Sequence, residues 1–235
     1  MSSLAIMQPY FLPYLGYFHL INSVDIFVIY DDIQYTKKGW INRNRLLFSG
    51  NVEYVTIPLV KDSDFLNVNQ RTISHGWKKE RSKILRKLEQ SYRKRQNFEQ
   101  GMSLSEQILN YNDKNLFNYI YHSVRLISHH LGSKTEIVTS SSIGDFSKYR
   151  GKDKVIELCK KIKADRYVNA ISGMSLYDKD EFLSAGLDLK FVKSALAPYK
   201  QDKDVFEPGL SIIDMIFSIS EETLLLQQMK NFELI

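Results

Sequence analysis

Two short runs with almost no charge, within residues 4–8 and 25–31, set the strongest constraint on what this chain folds into. Leu4-Ala5-Ile6-Met7 and Ile26-Phe27-Val28-Ile29-Tyr30 have the length of strands and lack the polar alternation of a half-exposed strand. Such runs read as parallel strands buried on both faces. Between them only Tyr14 to Asn22 can form a helix, and Pro13 just before it suits a helix start. Strand, tight loop, helix, strand is the opening of an α/β sheet. Polar residues fall where the strands end, Gln8 after the first and Asp31-Asp32 after the second. Open α/β sheets bind ligands at those strand ends.

The rest of the chain continues the alternation. Residues 53–60 read as a strand whose Pro58 argues for an edge or an end, and residues 66–73 as a further edge strand. From Trp77 the period becomes helical, with Trp77, Ile84, Leu85, Leu88 and Tyr92 on one stripe and a basic run from Lys78 to Arg95 on the other face. That run reads first as a solvated face. Residues 99–111 and 114–131 read as two more helices, the second stopped by Gly132. A strand over 134–139, a Ser-rich turn at 140–142, a helix over 152–163, a strand over 167–170 and a loop over 171–175 follow. The last elements are a helix over 178–185, a strand over 187–192, a helix opening at Glu207-Pro208-Gly209 and another from about Glu221 to Lys230. The expectation is one α/β domain over 1–235 with a mostly parallel open sheet, flanking helices and an inserted helical subdomain at about 77–131.

Lys and Arg outnumber Asp and Glu by 32 to 27, a mild excess that suits an anionic small molecule without calling for nucleic acid. The single Cys159 excludes an internal disulfide and reads as a core thiol. No histidine spacing makes a metal site, and no Gly-x-Gly-x-x-Gly, phosphate-loop or Gly-x-Ser-x-Gly motif occurs. With neither a signal peptide nor a membrane span in the pattern, a cytoplasmic location is expected.

Four groups of residues carry chemistry. The first is Gln8 to Gly16, where Pro9, Pro13 and Gly16 fix a loop that leads to a helix start, with Tyr14 beside it. Nucleotidyltransferases of the HIGH-motif superfamily use a similar strand, loop and helix. Here Pro13-Tyr14-Leu15-Gly16-Tyr17 takes the corresponding place, the two histidines are absent and His19 falls too late. The second group is Asp31 and Asp32 with Gln34, Lys38, Asn42, Arg43 and Asn44, more polar groups than a turn needs. The acids suit Mg²⁺, a sugar hydroxyl or an amine proton, and Lys38 or Arg43 suits phosphate. The third is Ser172 and Gly173 with Tyr177, at the end of another strand. The fourth is Tyr199, Gln201, Ser211 and Asp214, the last a carboxylate in an apolar helix that needs a partner or water.

As a set, Gln8-Pro9-Tyr10-Phe11-Leu12-Pro13-Tyr14-Leu15-Gly16-Tyr17-Phe18, Asp31-Asp32-Ile33-Gln34-Tyr35, Asn42-Arg43-Asn44, Thr56-Ile57-Pro58 and Pro198-Tyr199 to Asp214 resemble the WbqC-like protein family. The resemblance runs from about residue 5 to 225. Where that family often has a Gly-rich stretch before the position of Tyr177, this chain has Asn169-Ala170-Ile171-Ser172-Gly173. Members occur in bacterial O-antigen and surface-polysaccharide gene clusters. The resemblance implies a cytoplasmic enzyme of surface-glycan (lipopolysaccharide) biosynthesis, an aminoacyl (glycine) or acyl transferase forming an amide on a nucleotide-linked amino sugar. Asp31, Asp32 and Lys38 would be catalytic. Gln8 and Asn44 would orient the acyl group or carbonyl oxygen, and, if the likeness to the HIGH-motif loop holds, ATP would activate a carboxylate donor near Gly16. The cofactor stays open, with ATP and Mg²⁺ as candidates. The alternative is a non-catalytic sugar-nucleotide-binding or assembly subunit of the same pathway.

Overall fold

The structure is a computed structural model and describes residues 2–220 and 222–235. Its strands are β1 (Ser3–Met7), β2 (Ile26–Ile29), β3 (Arg43–Phe48), β4 (Asn51–Thr56), β5 (Glu136–Thr139), β6 (Arg166–Ala170), β7 (Asp188–Ser194) and β8 (Phe232–Leu234). Six of them form one sheet in the order β5-β2-β1-β6-β7-β8, parallel throughout except for β8 at the edge. Counted along the chain, the parallel strands lie third, second, first, fourth, fifth. The order reverses at β1, so the switch point of this doubly wound sheet lies between β1 and β6.

The helices are α1 (Leu15–Asn22), α2 (Trp77–Tyr92), α3 (Phe98–Leu109), α4 (Leu116–His130), α5 (Ser140–Ile143), α6 (Gly151–Ile162), α7 (Lys179–Ser184), α8 (Ile212–Ser218) and α9 (Glu222–Lys230). Side chains alternate across a strand, so each buried strand feeds two cores. Ala5, Phe27 and Ile29 join α1, α2, α3, α4 and α8 on one side. Leu4, Ile6 and Val28 join Val155 and Leu158 of α6 and Phe182 of α7 on the other. Cys159 belongs to this second core, where burial pushes its thiol up to about 12, so it is a packed, unreactive side chain. The predicted stripe on α2 buries Trp77, Ile84, Leu88 and Tyr92.

The register brings the strand ends level. Met7 pairs with Ile29, and Ile29 with Thr139, while Ala5 pairs with Val168 two residues before β6 ends at Ala170. Residues that leave these strands therefore share one crest.

Several elements differ from the sequence reading, each for a local reason. Arg43 and Asn44, expected in a polar loop, begin β3, which pairs with β4 in an antiparallel hairpin outside the main sheet. The strand expected to reach residue 60 stops at Thr56, just before Pro58, which has no N–H to donate. Residues 66–73 are not a strand. Asn67 and Gln70 close a capping box around a 3₁₀ turn at Val68–Gln70, since their side chains compete with a ladder for the backbone. Ser140–Ile143 is a helical turn, and Ile171–Leu176 a 3₁₀ helix where a loop was expected. The helix expected from Glu207 starts at Ile212. Gly209 turns the chain with φ +69° first, and Ser211 Oγ then caps the helix by accepting from Ile213 N at 3.3 Å. The start expected at Glu221 lies outside the described residues.

Candidate functional site

Two clefts open on the crest. The first lies at the switch point, with a volume of about 410 Å³, between the end of β1 (Gln8), the start of α1 (Tyr14, Gly16, Tyr17), the turn at Trp40, Arg45 of β3 and Ser172 after β6. Its floor is the loop Gln8–Tyr14, held in an unusual path. Leu12 has φ +47°, a left-handed conformation costly for a leucine. Asn44, fully buried, compensates by donating from Nδ2 to the carbonyls of both Phe11 and Leu12 and accepting from Arg45 N at 2.7 Å. Ile212 N donates to Pro13 O at 2.8 Å, so α8 props the loop from below. Gly16 leaves room for the Tyr14 ring, since a Cβ there would fall 2.5 Å from Tyr14 Cε2.

Arg45 brings the charge of this cleft. It reaches Glu207 Oε1 at 3.4 Å and the carbonyls of Pro208 and Gly209 at 3.2 and 3.4 Å, while its buried Nε has no partner. Beneath it runs a chain of contacts. Gln201 holds Glu207 at both ends, donating to its carbonyl at 3.0 Å and accepting from its N–H at 2.7 Å. Asp214, almost fully buried, accepts from Tyr92 Oη at 2.5 Å, Tyr199 Oη at 2.7 Å and Gln201 Nε2 at 3.4 Å. Burial raises the Asp214 carboxyl above its ordinary range, against the pull of those donors. Burial also raises Tyr10 and Tyr14, so both phenols stay neutral donors at working pH.

The second cleft, about 880 Å³, opens at the ends of β2 and β5 and is lined by Tyr30, Asp32, Gln34, Arg150, Lys154 and Tyr177 among others. Asp31 and Asp32 have separate fates here. Asp31 turns inward and accepts from Ser140 Oγ at 2.8 Å, Ser141 N at 3.0 Å, Ser141 Oγ at 2.6 Å and Asn69 Nδ2 at 3.2 Å. Burial alone would raise its carboxyl, but the bonds from Ser141, Ser140 and Asn69 outweigh it and hold the group below the usual carboxylate range. Asp32 faces the cleft, with Lys154 Nζ at 2.8 Å from Oδ2 and Ser140 Oγ at 2.6 Å from Oδ1. Ser140 has one hydroxyl proton and two carboxylate oxygens beside it. That single proton is shared between Asp31 Oδ1 and Asp32 Oδ1.

The structure thus gathers Gln8, Tyr14, Gly16 and Ser172 at one cleft and Asp32, Gln34 and Tyr177 at the other. Pro13, Asn44 and Ser211 stand under the first cleft as supports, Ser211 N donating to Arg45 O at 3.0 Å. Gly173 packs on Asn169, 2.5 Å from Nδ2 to a Cβ built there. Asn42 is occupied by Tyr35 Oη at 2.9 Å and Ile57 O at 2.8 Å. Arg43 donates to the carbonyls of Lys38 and Gly39 and pins that turn. Lys38 itself is exposed, has φ +60° and lines neither cleft. Tyr199, Gln201 and Asp214 act on Arg45 through Glu207. His19 is fully buried with Nε2 2.7 Å from Gln228 O, so it lines neither cleft.

Arg45, Trp40, Arg150 and Lys154 were not singled out from the sequence. Lys154 did leave a signal, since it lies one turn before Leu158 and so on the apolar face of α6. Arg45 alternates with Arg43 along β3, a pattern visible only once that segment is known to be a strand. The Asp31 carboxylate is taken up by Ser140, Ser141 and Asn69, and Asp32 is paired with Lys154. Among the described residues no three His, Cys, Asp or Glu side chains gather to hold a metal ion.

A doubly wound α/β sheet with two clefts on its C-terminal crest is the class of protein that fold and site define. The chain belongs to the WbqC-like protein family, whose match spans residues 8–225. It is 32% identical over 227 residues to the uncharacterized protein Rv1507c of Mycobacterium tuberculosis (strain ATCC 25618 / H37Rv), covering 94% of this chain and 96% of that one. No solved structure matches the chain. Family membership suggests a role in polysaccharide-related pathways. Among the described residues no helix is long and apolar enough to cross a membrane.

Proposed function

We propose that this protein is an aminoacyl (glycine) or acyl transferase of cytoplasmic surface-glycan biosynthesis, forming an amide on a nucleotide-linked amino sugar. The observation that carries the reading is Asp32. It is a carboxylate at a strand end, open to a large cleft, paired with Lys154 and sharing the Ser140 hydroxyl with Asp31. In this reading the sugar amine lies at Asp32, and an activated acyl donor meets it in the cleft. The amine lone pair attacks the acyl carbonyl carbon and a C–N bond forms. The bond from that carbon to the leaving group breaks, and the leaving group departs with its electron pair. The amine proton passes to Asp32 Oδ1. Lys154 holds Asp32 in place through an ion pair of 2.8 Å. Gln8 lines the first cleft, away from Asp32, and the amide of Asn44 serves the loop, so the acyl-orienting role expected of both is left unfilled by them. The phosphate role expected of Lys38 and Arg43 falls to Arg45 at the first cleft and to Arg150 at the second. If the donor is activated here, ATP and the amino acid form an acyl-adenylate and release pyrophosphate.

The test is isotope exchange between pyrophosphate and ATP with glycine and other amino acids, alongside mass detection of an amide on nucleotide-linked amino sugars. Amide formation from ATP and a free amino acid supports the adenylate form. Product from a pre-activated donor without exchange supports transfer alone. Tight nucleotide-sugar binding with no product from either donor contradicts an enzyme and favours the binding subunit.

A further inference from the structure

The hairpin β3–β4 presents a surface of which the proposed transfer uses Arg45 alone. Arg45 lies opposite Tyr54 and Arg43 opposite Thr56, so Arg43, Arg45 and Tyr54 project from one face of the hairpin. Trp40 lies beside that face. Its ring centroid is 6.2 Å from that of Tyr54, tilted by 27°, and 5.8 Å from that of Tyr10 inside the first cleft. The Arg43 guanidinium is 4.9 Å from the Tyr54 ring, and the Arg45 guanidinium 5.9 Å from the Trp40 ring. Tyr54 is 57% exposed. The rings of Tyr10, Trp40 and Tyr54 thus make a ledge that runs from the cleft into solvent, with guanidinium groups along it.

The chemistry of the ledge selects its ligand. Flat, electron-rich faces suit a planar heteroaromatic ring, whatever its edge groups. A sugar ring alone would need both donors and acceptors beside the aromatic face, and guanidinium groups supply only donors. The guanidinium donors suit an anion. At the inner end Arg45 is under-used, with an unpartnered Nε and contacts of 3.2–3.4 Å, longer than the roughly 2.7–2.9 Å of a strong charge-assisted bond. The hydroxyls of Tyr10 and Tyr14 stand on the same wall. A cleft of about 410 Å³ is within the ordinary size of a small-molecule site.

We infer that the switch-point cleft takes a nucleoside diphosphate, its base stacked on the Trp40–Tyr54 ledge and its diphosphate at Arg45, Tyr10 and Tyr14. The inference rests on the transferase reading only in identifying this ligand with the carrier of the amino sugar. Binding replaces the contact between Arg45 and Glu207 with one to phosphate.

Tryptophan emission tests this directly, because Trp77, the other tryptophan, is 4% exposed and packed on Phe11 and Tyr119. Uridine, adenosine and guanosine diphosphates are titrated against the full chain, with inorganic pyrophosphate as the base-free probe. At least one nucleotide should quench emission saturably, and Trp40→Phe should erase the quench while calorimetry still detects binding. Trp40→Ala should weaken nucleotide binding about 10- to 100-fold and leave pyrophosphate binding unchanged, whereas Arg45→Gln should weaken both. Thermal melts of each variant separate these effects from misfolding. Equal nucleotide affinity in Trp40→Ala and the parent overturns the inference and leaves the transferase reading intact, as does pyrophosphate binding as tightly as any nucleotide. No nucleotide binding overturns the inference as well. Binding as described with no amide formed from any donor supports the inference and defeats the transferase reading.

Discussion

At the end of β1 the crest presents Tyr10, Tyr14 and Trp40 around one arginine; at the end of β2 it presents Asp32 and Lys154 over a buried aspartate. The same row of level strand ends supports both. In the first cleft the charge is held loosely and the walls are rings, which bind by area and exclude water. In the second a buried carboxylate, Asp31, shares the Ser140 hydroxyl with the cleft-facing Asp32, which pairs with Lys154. In the proposed reading one region holds a ligand and the other moves a proton. The 3₁₀ helix Ile171–Leu176 adjoins both, since Ser172 lines the first cleft and Tyr177, the next residue after the helix, lines the second.

Asp32→Asn should sharpen this contrast most. Turnover should fall about 10²- to 10⁴-fold, the usual contribution of a general base, while calorimetry of nucleotide binding at the first cleft changes by less than about twofold. A parallel loss of nucleotide affinity would mean that the two clefts act as one site.

Next in size is Asn44→Ala. It leaves the Phe11 and Leu12 carbonyls without their buried donor and should lower stability in urea denaturation by about 1–3 kcal/mol. A change of only a few tenths would show that the loop holds its left-handed Leu12 unaided. Gly16→Ala should be gentler on the fold, because the far end of the Tyr14 ring can swing away from the new methyl. Its effect should appear at the first cleft alone, as a loss of about 1 kcal/mol, or roughly fivefold, in nucleotide affinity from the displaced ring. Equal losses in both clefts would break the comparison.

The smallest effect is one of pH. The Asp31 carboxyl lies below its unfolded value of about 3.9, so near that pH the unfolded chain binds more protons than the folded one. Its stabilisation is complete above the unfolded value and is lost as pH falls through the folded one. The melting temperature of the parent should therefore fall more steeply than that of Asp31→Asn as the pH drops below about 4. Coincident slopes would remove Asp31 from its inward role.

The frame of the molecule was legible because its signals are local. Charge-free runs of strand length make buried parallel strands wherever they occur, and the polar residues after them had to lie on the crest. The hairpin was hidden because Arg43-Asn44-Arg45 reads as a polar loop until its partner strand is known. Residues 66–73 show the converse, an alternating pattern overruled by the side chains of Asn67 and Gln70. Residue type marked polar side chains near the strand ends and left their roles open. A buried amide such as Asn44 or Asn42 and a buried acid such as Asp214 look the same in sequence whether they serve backbone or ligand. Arg45 and Lys154 arrive from a strand and a helix distant in the chain from the motifs they complete, so only tertiary structure brings them in.

The most direct test of the account is amide formation itself, followed by mass spectrometry in the parent and in Asp32→Asn. A nucleotide-linked amino sugar is supplied with glycine and ATP or with a pre-activated aminoacyl donor. The account predicts an acylated sugar nucleotide from the parent and at least a hundredfold slower formation by the variant, with nucleotide binding retained. Product formed at equal rates by both proteins, or by neither, would contradict it.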